Sequence, residues 1–316
     1  MQIVYQKYTF HLTAIDELYL PYYKGSTFRG GFGNAFKKIT CVLRTRECGD
    51  CPLRRTCTYI YVFETMPSDD LAILNMHKYE KVPTPFVIEP PETDRKTFNP
   101  EDNFTFNLIL IGKAIDYFPY FLLTFDHLGK IGIGKGRGKY KILKVESNGI
   151  TVYEDEIFIK TEPSVIDLSK GYENSISTVT LKIVTPLRIK FERRLVDDLE
   201  FHVLIRNLLR RLTLLGYFHC NESPDFNAKQ LIELAQNVRK TDSSLKWLDW
   251  ERYSTRQQER MKLGGVVGKV KYEGDIGPFL PYLKAGEILH AGKNTTFGLG
   301  RYEISYISPQ NLISSK

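Results

Sequence analysis

Hydrophobic and polar residues alternate along several stretches of the chain, and this period of two is typical of strands that bury one face. Between positions 101 and 111, for example, Phe104, Phe106, Leu108 and Leu110 occupy every second place. Stretches of this kind predict strands at 3–15, 101–111, 140–145, 177–190, 247–254 and 261–272, the last two forming a hairpin through Gly264 and Gly265.

A helical period of apolar residues predicts the helices. The clearest helix spans 195–215 and buries the face made by Leu204, Ile205, Leu208, Leu212 and Leu215. Gly216 is expected to end it, because glycine is common just past a helix C-terminus. Ser26 is expected to cap an earlier helix that runs to about position 42. The apolar stretch 116–125 predicts a further helix, and 275–286 a short helical turn.

Residues 134–142 are similar to residues 296–304, and both stretches lead from a glycine-rich loop into a strand. The paired positions are Gly136 with Gly298, Gly138 with Gly300, Lys139 with Arg301, Tyr140 with Tyr302, and Ile142 with Ile304. Because the copies lie about half a chain apart, they predict two related domains. Each half then has the order β-α-β-β-α-β, so the fold class is α+β with two tandem ferredoxin-like (RRM-like) domains. The expected divisions are 1–148, a connecting segment 149–176, and 177–316.

Composition places the chain among ordinary globular proteins. It has 316 residues, of which 42% are hydrophobic and 26% charged, and this excludes a mainly disordered or collagen-like state. No apolar run of about 18 residues is present, and the first residues lack the layout of a signal peptide. The expected location is the cytoplasm, with no membrane partner.

The net charge of +7 is modest, but the basic residues are clustered. Residues 18–46 contain six basic residues and no acid, and so do residues 127–145; a third basic stretch is 252–271. Tyrosines and phenylalanines are interleaved with these cations. Cations contact phosphates and aromatic rings stack on unpaired bases, so the mixture favours single-stranded nucleic acid. A solvated charged surface is the alternative for any one cluster.

Four of the five cysteines, Cys41, Cys48, Cys51 and Cys57, are spaced C-x6-C-x2-C-x5-C. Two thiolates two residues apart can chelate one ion, so a structural zinc is the first hypothesis and a four-iron cluster the second. Disulfides or free thiols are the alternatives. Four sulfurs would close the coordination shell, so no catalytic metal is expected.

The glycine-rich runs do not fit a nucleotide-binding loop. A P-loop ends in Gly-Lys-Ser/Thr and opens a helix, and the dinucleotide fingerprint also needs a helix next. Here Lys139-Tyr140 opens a strand. Loops of this kind are expected to present backbone N–H groups and cations to a phosphodiester chain.

Three blocks make the sequence similar to the CRISPR-associated RAMP-superfamily endoribonucleases that cut pre-crRNA into guide units. The most specific is the glycine-rich block 289–302; the others are 250–268, and 24–33 with the cysteine knuckle and 61–64. The resemblance implies RNA cleavage without a metal or other cofactor. The 2′-hydroxyl attacks the adjacent phosphate and leaves a 2′,3′-cyclic phosphate and a 5′-hydroxyl. The implied partners are CRISPR repeat RNA and other CRISPR effector subunits, with the protein a monomer or a homodimer.

Many members of this family have a histidine at the start of the first helix, whereas this chain has Tyr22, Tyr23 and Lys24 there. The tyrosines are expected to orient the RNA and the lysine to stabilise charge. His290, with Lys293 three residues on, is the best candidate for acid or base, because an imidazole transfers protons near neutral pH.

The expected RNA contacts lie in the basic clusters and the glycine loops: Arg29, Lys135, Arg137, Lys139, Arg252, Arg256, Gln257, Gly292, Thr295, Thr296, Gly298, Gly300 and Arg301. The alternative function is that of a non-catalytic RNA-binding RAMP subunit that holds a guide within an effector complex. The missing histidine favours this alternative.

Overall fold

The computed structural model describes residues 1–44, 47–65, 82–170, 176–249, 251–254 and 259–306, with the backbone alone for 251–254 and 259–262. It divides into two compact units. The N-terminal unit consists of Val4–Val165 and Phe218–Asn221, and the C-terminal unit of Met1–Ile3, Ile166–Tyr217 and Glu222–Lys316.

The strands are β1 (Gln2–Ala14), β2 (Leu18–Tyr19), β3 (Phe86–Glu89), β4 (Thr97–Phe98), β5 (Asn103–Ile111), β6 (Tyr140–Ser147), β7 (Ile150–Glu154), β8 (Ile157–Phe158), β9 (Ser164–Asp167), β10 (Thr178–Leu187), β11 (Lys190–Phe191), β12 (Arg194–Leu195), β13 (Arg239–Ser243), β14 (Lys246–Leu248), β15 (Glu251–Ser254), β16 (Glu259–Lys262), β17 (Gly265–Glu273) and β18 (Tyr302–Tyr306). The helices are α1 (Gly25–Thr40), α2 (Thr58–Phe63), α3 (Phe118–Ile131), α4 (Phe201–Cys220), α5 (Ala228–Ala235) and α6 (Leu280–Leu289). Short 3-10 turns precede α3 and α6 and interrupt the last glycine loop.

The N-terminal unit is built on an antiparallel sheet with the strand order β3-β5-β1-β6-β7-β8. Helices α1 and α3 cover one face, where phenylalanines meet in stacked and tilted pairs. Phe32 stacks on Phe121 with ring centroids 5.1 Å apart, and Phe10 lies 4.6 Å from Phe106. Offset aromatic pairs of this kind add stability beyond the apolar area that they bury. The alternating pattern of β1 and β5 therefore faces this aromatic core.

The C-terminal unit repeats the arrangement with the strand order β13-β17-β10-β18, covered by α4 and α6. In both units the first strand lies between the third and the last, which is the order of a ferredoxin-like fold. The prediction of two tandem ferredoxin-like units is confirmed.

The sequence repeat is also a structural repeat. Tyr140 at the start of β6 donates its hydroxyl hydrogen bond to Phe125 O at 2.8 Å, and Tyr302 at the start of β18 donates to Leu283 O at 2.6 Å. A helix glycine makes room for each ring: a Cβ on Gly129 would lie 2.9 Å from the Tyr140 ring, and one on Gly286 would lie 2.3 Å from the Tyr302 hydroxyl. Both units therefore use the same helix, loop and strand connection.

Three local predictions need correction. Lys24, rather than Ser26, is the N-cap of α1, and the Ser26 hydroxyl lies inside the helix and makes no hydrogen bond in the structure. Gly216 does not end α4, since the helix continues to Cys220; the glycine instead makes room for Met1, whose sulfur would lie 2.8 Å from a Cβ there. Gly264 and Gly265 join β16 to β17 instead of forming the hairpin turn.

The hairpin itself is long and broken, since β15 pairs with β16 and β14 pairs with β17. Residues 255–258, between β15 and β16, lie outside the described residues. The connecting segment carries β7, β8 and β9, of which β7 and β8 extend the N-terminal sheet and β9 pairs with β1. In the part of the chain that the structure describes, no helix has the length and apolar character needed to cross a bilayer.

Candidate nucleic-acid interface

The start of α1 gathers polar groups from two loops of the N-terminal unit. Lys24 is only 1% exposed, and its ammonium donates to Tyr22 O at 3.2 Å and to Thr93 O at 2.6 Å. Burial lowers the pKa of Lys24, while the nearby charge of Asp94 opposes that shift. Lys24 thus ties the segment before α1 to the loop that contains Thr93 and Asp94.

Tyr22 projects from this junction and is 63% exposed. Its hydroxyl donates a hydrogen bond to the Asp94 carboxylate, and this contact, together with the negative charge, raises the pKa of Tyr22. Burial raises the pKa of the neighbouring Tyr23, to which the charge of Glu89 adds. Both phenols therefore keep their protons at neutral pH. Tyr22 therefore presents a protonated hydroxyl with a carboxylate partner at the surface.

The first glycine loop, residues 132–139, lies beside the same junction. Lys135 N donates to Tyr19 O at 3.0 Å, and the Lys135 ammonium lies 5.9 Å from the centre of the Tyr19 ring. Strand β2 pairs with β4, and Leu20 N donates to Lys96 O at 2.8 Å. The loop, β2 and the segment before β4 thus form one continuous surface.

We call this the tyrosine-lysine surface, and it consists of exposed residues: Tyr19, Tyr22, Asp94, Lys96, Lys135, Arg137 and Lys139. Gly138 sets the path of the loop, since a Cβ there would lie 2.3 Å from Glu17 O. The surface combines cations for phosphates with tyrosine rings for bases, the combination that single-stranded nucleic acid requires.

The second glycine loop, residues 290–301, is packed into the C-terminal unit. His290 has no exposed surface, and its Nδ1 lies 3.1 Å from Leu299 O. Buried Arg211 donates to Leu289 O at 2.9 Å and to His290 O at 3.0 Å, and burial lowers the pKa of its guanidinium to about 10. The imidazole thus holds the loop from inside, where it meets no solvent.

The backbone of this loop is also engaged by protein groups. Gly292 N donates to Asn207 Oδ1 at 2.9 Å, Gly298 N to Thr295 O at 2.8 Å, and Gly300 N to Pro186 O at 3.1 Å. Thr295, Gly298 and Gly300 are buried, Gly292, Thr296 and Arg301 are half-buried, and Lys293 is exposed. Of the groups expected to meet phosphate here, the Lys293 side chain is therefore the most accessible.

The remaining candidate RNA contacts differ in how much of each residue the structure describes. Arg29 is half-buried, with its guanidinium carbon 4.5 Å from the centre of the Phe63 ring, as in a cation-π contact. Arg252 lies on β15, where only the backbone is described. Arg256 and Gln257 lie outside the described residues.

The four clustered cysteines do not form the expected metal site. All are free thiols and half-buried; Cys41 is the C-cap of α1, Cys57 is the N-cap of α2, and Lys37 hydrogen-bonds Cys48. Among the residues that the structure describes, no group of three or more cysteine, histidine or acidic side chains is close enough to share an ion. The prediction of a zinc or iron-sulfur site is not supported, because a C-x2-C spacing alone does not bring the outer cysteines together.

Asp94 and Lys96 were missed by sequence reasoning. They lie within a run of mixed charge just before β4, and nothing in that run indicates that it folds against the start of α1. The contact depends on the buried Lys24 ammonium, whose acceptors are backbone carbonyls.

Two family models match the chain. Residues 3–166 match the family AF_1859_N, described as an N-terminal domain, and residues 181–302 match the family described as CRISPR-associated endoribonuclease Cas6. A protein of Archaeoglobus fulgidus, described as uncharacterized, is 24% identical over 299 residues, which is 91% of this chain and 93% of that protein.

Solved structures share the fold. Thermus thermophilus Cas6 matches with a TM-score of 0.52 at 12% identity, over 96% of this chain and 99% of that one. A Cas6 product complex matches with a TM-score of 0.54 at 15% identity, over 95% and 100% of the two chains. A chain of a partial Cas6-RT-Cas1–Cas2 complex gives 0.57 at 15% identity over 96% of this chain, which spans only 46% of that longer chain. At these identities the likeness shows a common fold.

Proposed function

We propose that this chain cuts CRISPR repeat RNA: it belongs to the family that shares the AF_1859_N domain, and its residues 181–302 match the family described as CRISPR-associated endoribonuclease Cas6. The cut needs no metal: the 2′-hydroxyl attacks the adjacent phosphorus, the P–O5′ bond breaks, and a 2′,3′-cyclic phosphate and a 5′-hydroxyl result. Its partners are repeat RNA and other CRISPR effector subunits, and it acts in the cytoplasm as a monomer or homodimer.

The hydrogen-bonded pair of Tyr22 and Asp94 is the observation that carries the proposed chemistry. The Asp94 carboxylate takes the proton of the 2′-hydroxyl as the new 2′-O–P bond forms. Tyr22 gives its hydroxyl proton to the leaving 5′-oxygen and recovers a proton from Asp94 through their hydrogen bond. The pair ends as it began, and each transfer moves a proton between groups of the surface and the RNA.

Cations beside this pair stabilise the negative charge of the transition state. Lys96 and Lys135 are exposed on the tyrosine-lysine surface, where their charge stabilises the extra negative charge of the five-coordinate phosphate. Lys24 and Tyr23 act as positioning residues, since one is buried under carbonyls and the other is largely covered. His290 positions the second glycine loop, from which Lys293 reaches RNA.

The test is single-turnover cleavage of repeat RNA in EDTA, with the product ends identified chemically. We expect Tyr22→Phe and Asp94→Asn each to slow the cut about 10²-fold or more, with RNA affinity within about twofold of wild type. Tyr19→Phe is the matched control, because it removes an exposed phenol from the same surface and keeps its ring. Full activity in both variants would remove the pair from the mechanism.

A second function is favoured by the histidines. Among the described histidines, His219 and His290 are buried, His11 bonds Glu146, and His127 and His202 are half-buried. A protein whose histidines are covered or engaged in this way can hold RNA without cutting it. Tight binding of repeat RNA with no cut at any pH would establish that function in place of cleavage.

A further inference from the structure

A second basic surface lies in the C-terminal unit, on hairpin β11-β12, helix α4 and the tip of the second glycine loop. Its cations are Arg188, Lys190, Arg193, Arg194, Arg206, Arg210 and Lys293, of which all but the half-buried Arg188 are exposed. We call it the hairpin surface. Residues 188–196 contain one acid, Glu192, and residues 201–221 contain none.

Direct contacts join these three elements. The Phe191 ring lies 5.8 Å from the His202 ring, and the Arg206 guanidinium lies 5.8 Å from Phe191. The hairpin is thereby packed on α4. Lys293 N donates to Arg188 O at 2.9 Å, and Arg188 Nη1 donates to Gly264 O at 2.7 Å. The cations therefore stand on one rigid support.

The hairpin distributes its charge over all its sides. Phe191 pairs with Arg194 and Lys190 with Leu195, so Arg194 projects on the α4 side and Lys190 on the other. Arg193 stands in the turn between them. On α4, Arg206 and Arg210 are one turn apart, about 6 Å along the axis, a step of the same order as that between phosphates of a nucleic-acid strand.

The turn between β11 and β12 has two residues, and their types are unusual for a turn of that length. Both of its residues, Glu192 and Arg193, have left-handed backbones, with φ of 48° and 67°. Two-residue turns of this kind favour Asn-Gly, because side chains there are strained. The chain instead carries a large cation at the tip, in a conformation that local folding alone does not favour. A strained residue at an exposed tip points to a role for its side chain.

Two of the three acids in the segment that follows the hairpin are paired with a lysine outside it. Asp198 and Glu200 both form ion pairs with Lys240, Glu200 at 2.6 Å, whereas Asp197 is exposed. The seven cations of the hairpin surface outnumber the acids Glu192 and Asp197 beside them, so the surface has a net positive charge that attracts an external anion. Guanidinium groups bind phosphate oxygens in pairs, and they are less strongly hydrated than ammonium groups.

We propose that the hairpin surface of the C-terminal unit binds the phosphate backbone of the repeat RNA, while the cut is made at the tyrosine-lysine surface of the N-terminal unit. That the nucleic acid is repeat RNA rests on the proposed function. The hairpin surface would supply affinity and hold the RNA in register, whereas the cut would depend on Tyr22 and Asp94.

The test compares two double variants of the full chain in an equilibrium RNA-binding assay run at several salt concentrations. Arg193→Glu/Arg194→Glu changes the hairpin, and Lys170→Glu/Lys229→Glu changes two exposed lysines on other elements by the same total charge. We expect the hairpin variant to bind at least about tenfold more weakly and to reduce the slope of log affinity against log salt by about 1.4, since each lost phosphate contact removes about 0.7 on a single strand. The lysine control should bind within about twofold of wild type.

A single variant separates binding from folding damage. Arg193→Gly removes the tip cation and relieves the left-handed backbone, so the thermal midpoint should rise by about 1–4 °C while RNA affinity falls. Unchanged affinity and salt slope in the Glu variant would overturn the proposal, and so would an equal loss in the lysine control, which would make net charge the cause. Stronger competition by polyglutamate than by RNA would show a surface for acidic protein and also overturn it.

The binding assay reports on the hairpin surface whether or not the RNA is cut. Wild type that binds repeat RNA through Arg193 and Arg194 without cutting it would refute the proposed cleavage and support the hairpin proposal. Wild type that cuts while the hairpin variant binds normally would do the reverse. Failure of wild type to bind repeat RNA would overturn both.

Discussion

Replacing His290 with glycine should leave the protein more stable than replacing it with alanine, which reverses the usual order of the two residues. His290 is the C-cap of α6 and has φ 62° and ψ 160°. This region of backbone space is open essentially to glycine alone. At the equivalent cap of α3 in the N-terminal unit the chain has Gly132, with φ 80° and ψ 154°.

The difference in stability between the two variants follows from three contributions to the free energy of unfolding. Both variants lose the buried imidazole and its hydrogen bond to Leu299 O, about 2–4 kcal/mol together. Alanine keeps the strained backbone, which costs about 1–3 kcal/mol, whereas glycine is relieved of it. Glycine gives back about 0.5–1 kcal/mol through the greater freedom of its unfolded chain. The free energy of unfolding of His290→Gly should therefore be higher than that of His290→Ala by about 1–2 kcal/mol, which corresponds to about 2–8 °C in thermal midpoint.

Scanning calorimetry of the full chain measures the midpoints, and single-turnover cleavage at saturating protein separates structure from chemistry. With a positioning role for His290, the glycine variant should cut within about tenfold of wild type. A loss of 10²-fold or more in both variants, at temperatures where both are folded, would make the imidazole a catalytic group. A glycine variant less stable than the alanine variant would refute the strain argument.

Two further outcomes are expected. The cleavage rate should show no inflection near pH 6.5, the ordinary pKa of histidine, because Asp94 raises the pKa of Tyr22 and keeps this proton donor protonated well into the alkaline range. A pH-rate profile measured from 5.5 to 9.5 that inflects near 6.5 would contradict the assignment. Arg211→Met should lower the free energy of unfolding in urea by about 3 kcal/mol, because it leaves two carbonyls at the end of α6 without their donor. In the control, Arg210→Met at an exposed position, the loss should be less than about 1 kcal/mol, and equal losses would show that the buried hydrogen bonds contribute nothing.

The repeat of glycine loop and tyrosine could be predicted from sequence, because Gly138 and Gly300 leave no room for a Cβ and Tyr140 and Tyr302 each bond a helix carbonyl in the same way. Alternation in β1 and β5 was equally informative, since each strand faces one aromatic core. Burial of the second glycine loop was not predictable, because it depends on Arg211 and Asn207 from α4.

The contacts at the start of α1 could likewise be predicted only in part. Tyr22 and Lys24 were identified from their position before a helix, but their partners Thr93 and Asp94 come from a loop about 70 residues later in the chain. The hairpin surface does have a signal in the sequence, the absence of acids across 201–221. Charge runs are informative on helices as well as in loops.

The strand order shared by the two units has a consequence for how the protein folds. In each unit the first strand pairs with the last, as Leu12 does with Ile142 and Leu181 with Ile304, so each sheet closes over more than 100 residues. Loops of that length make folding slow, and on the ribosome β10 waits as an open, apolar edge until β18 emerges. Any truncation that removes β18 would leave that edge exposed permanently, and its expected result is aggregation rather than a smaller folded protein.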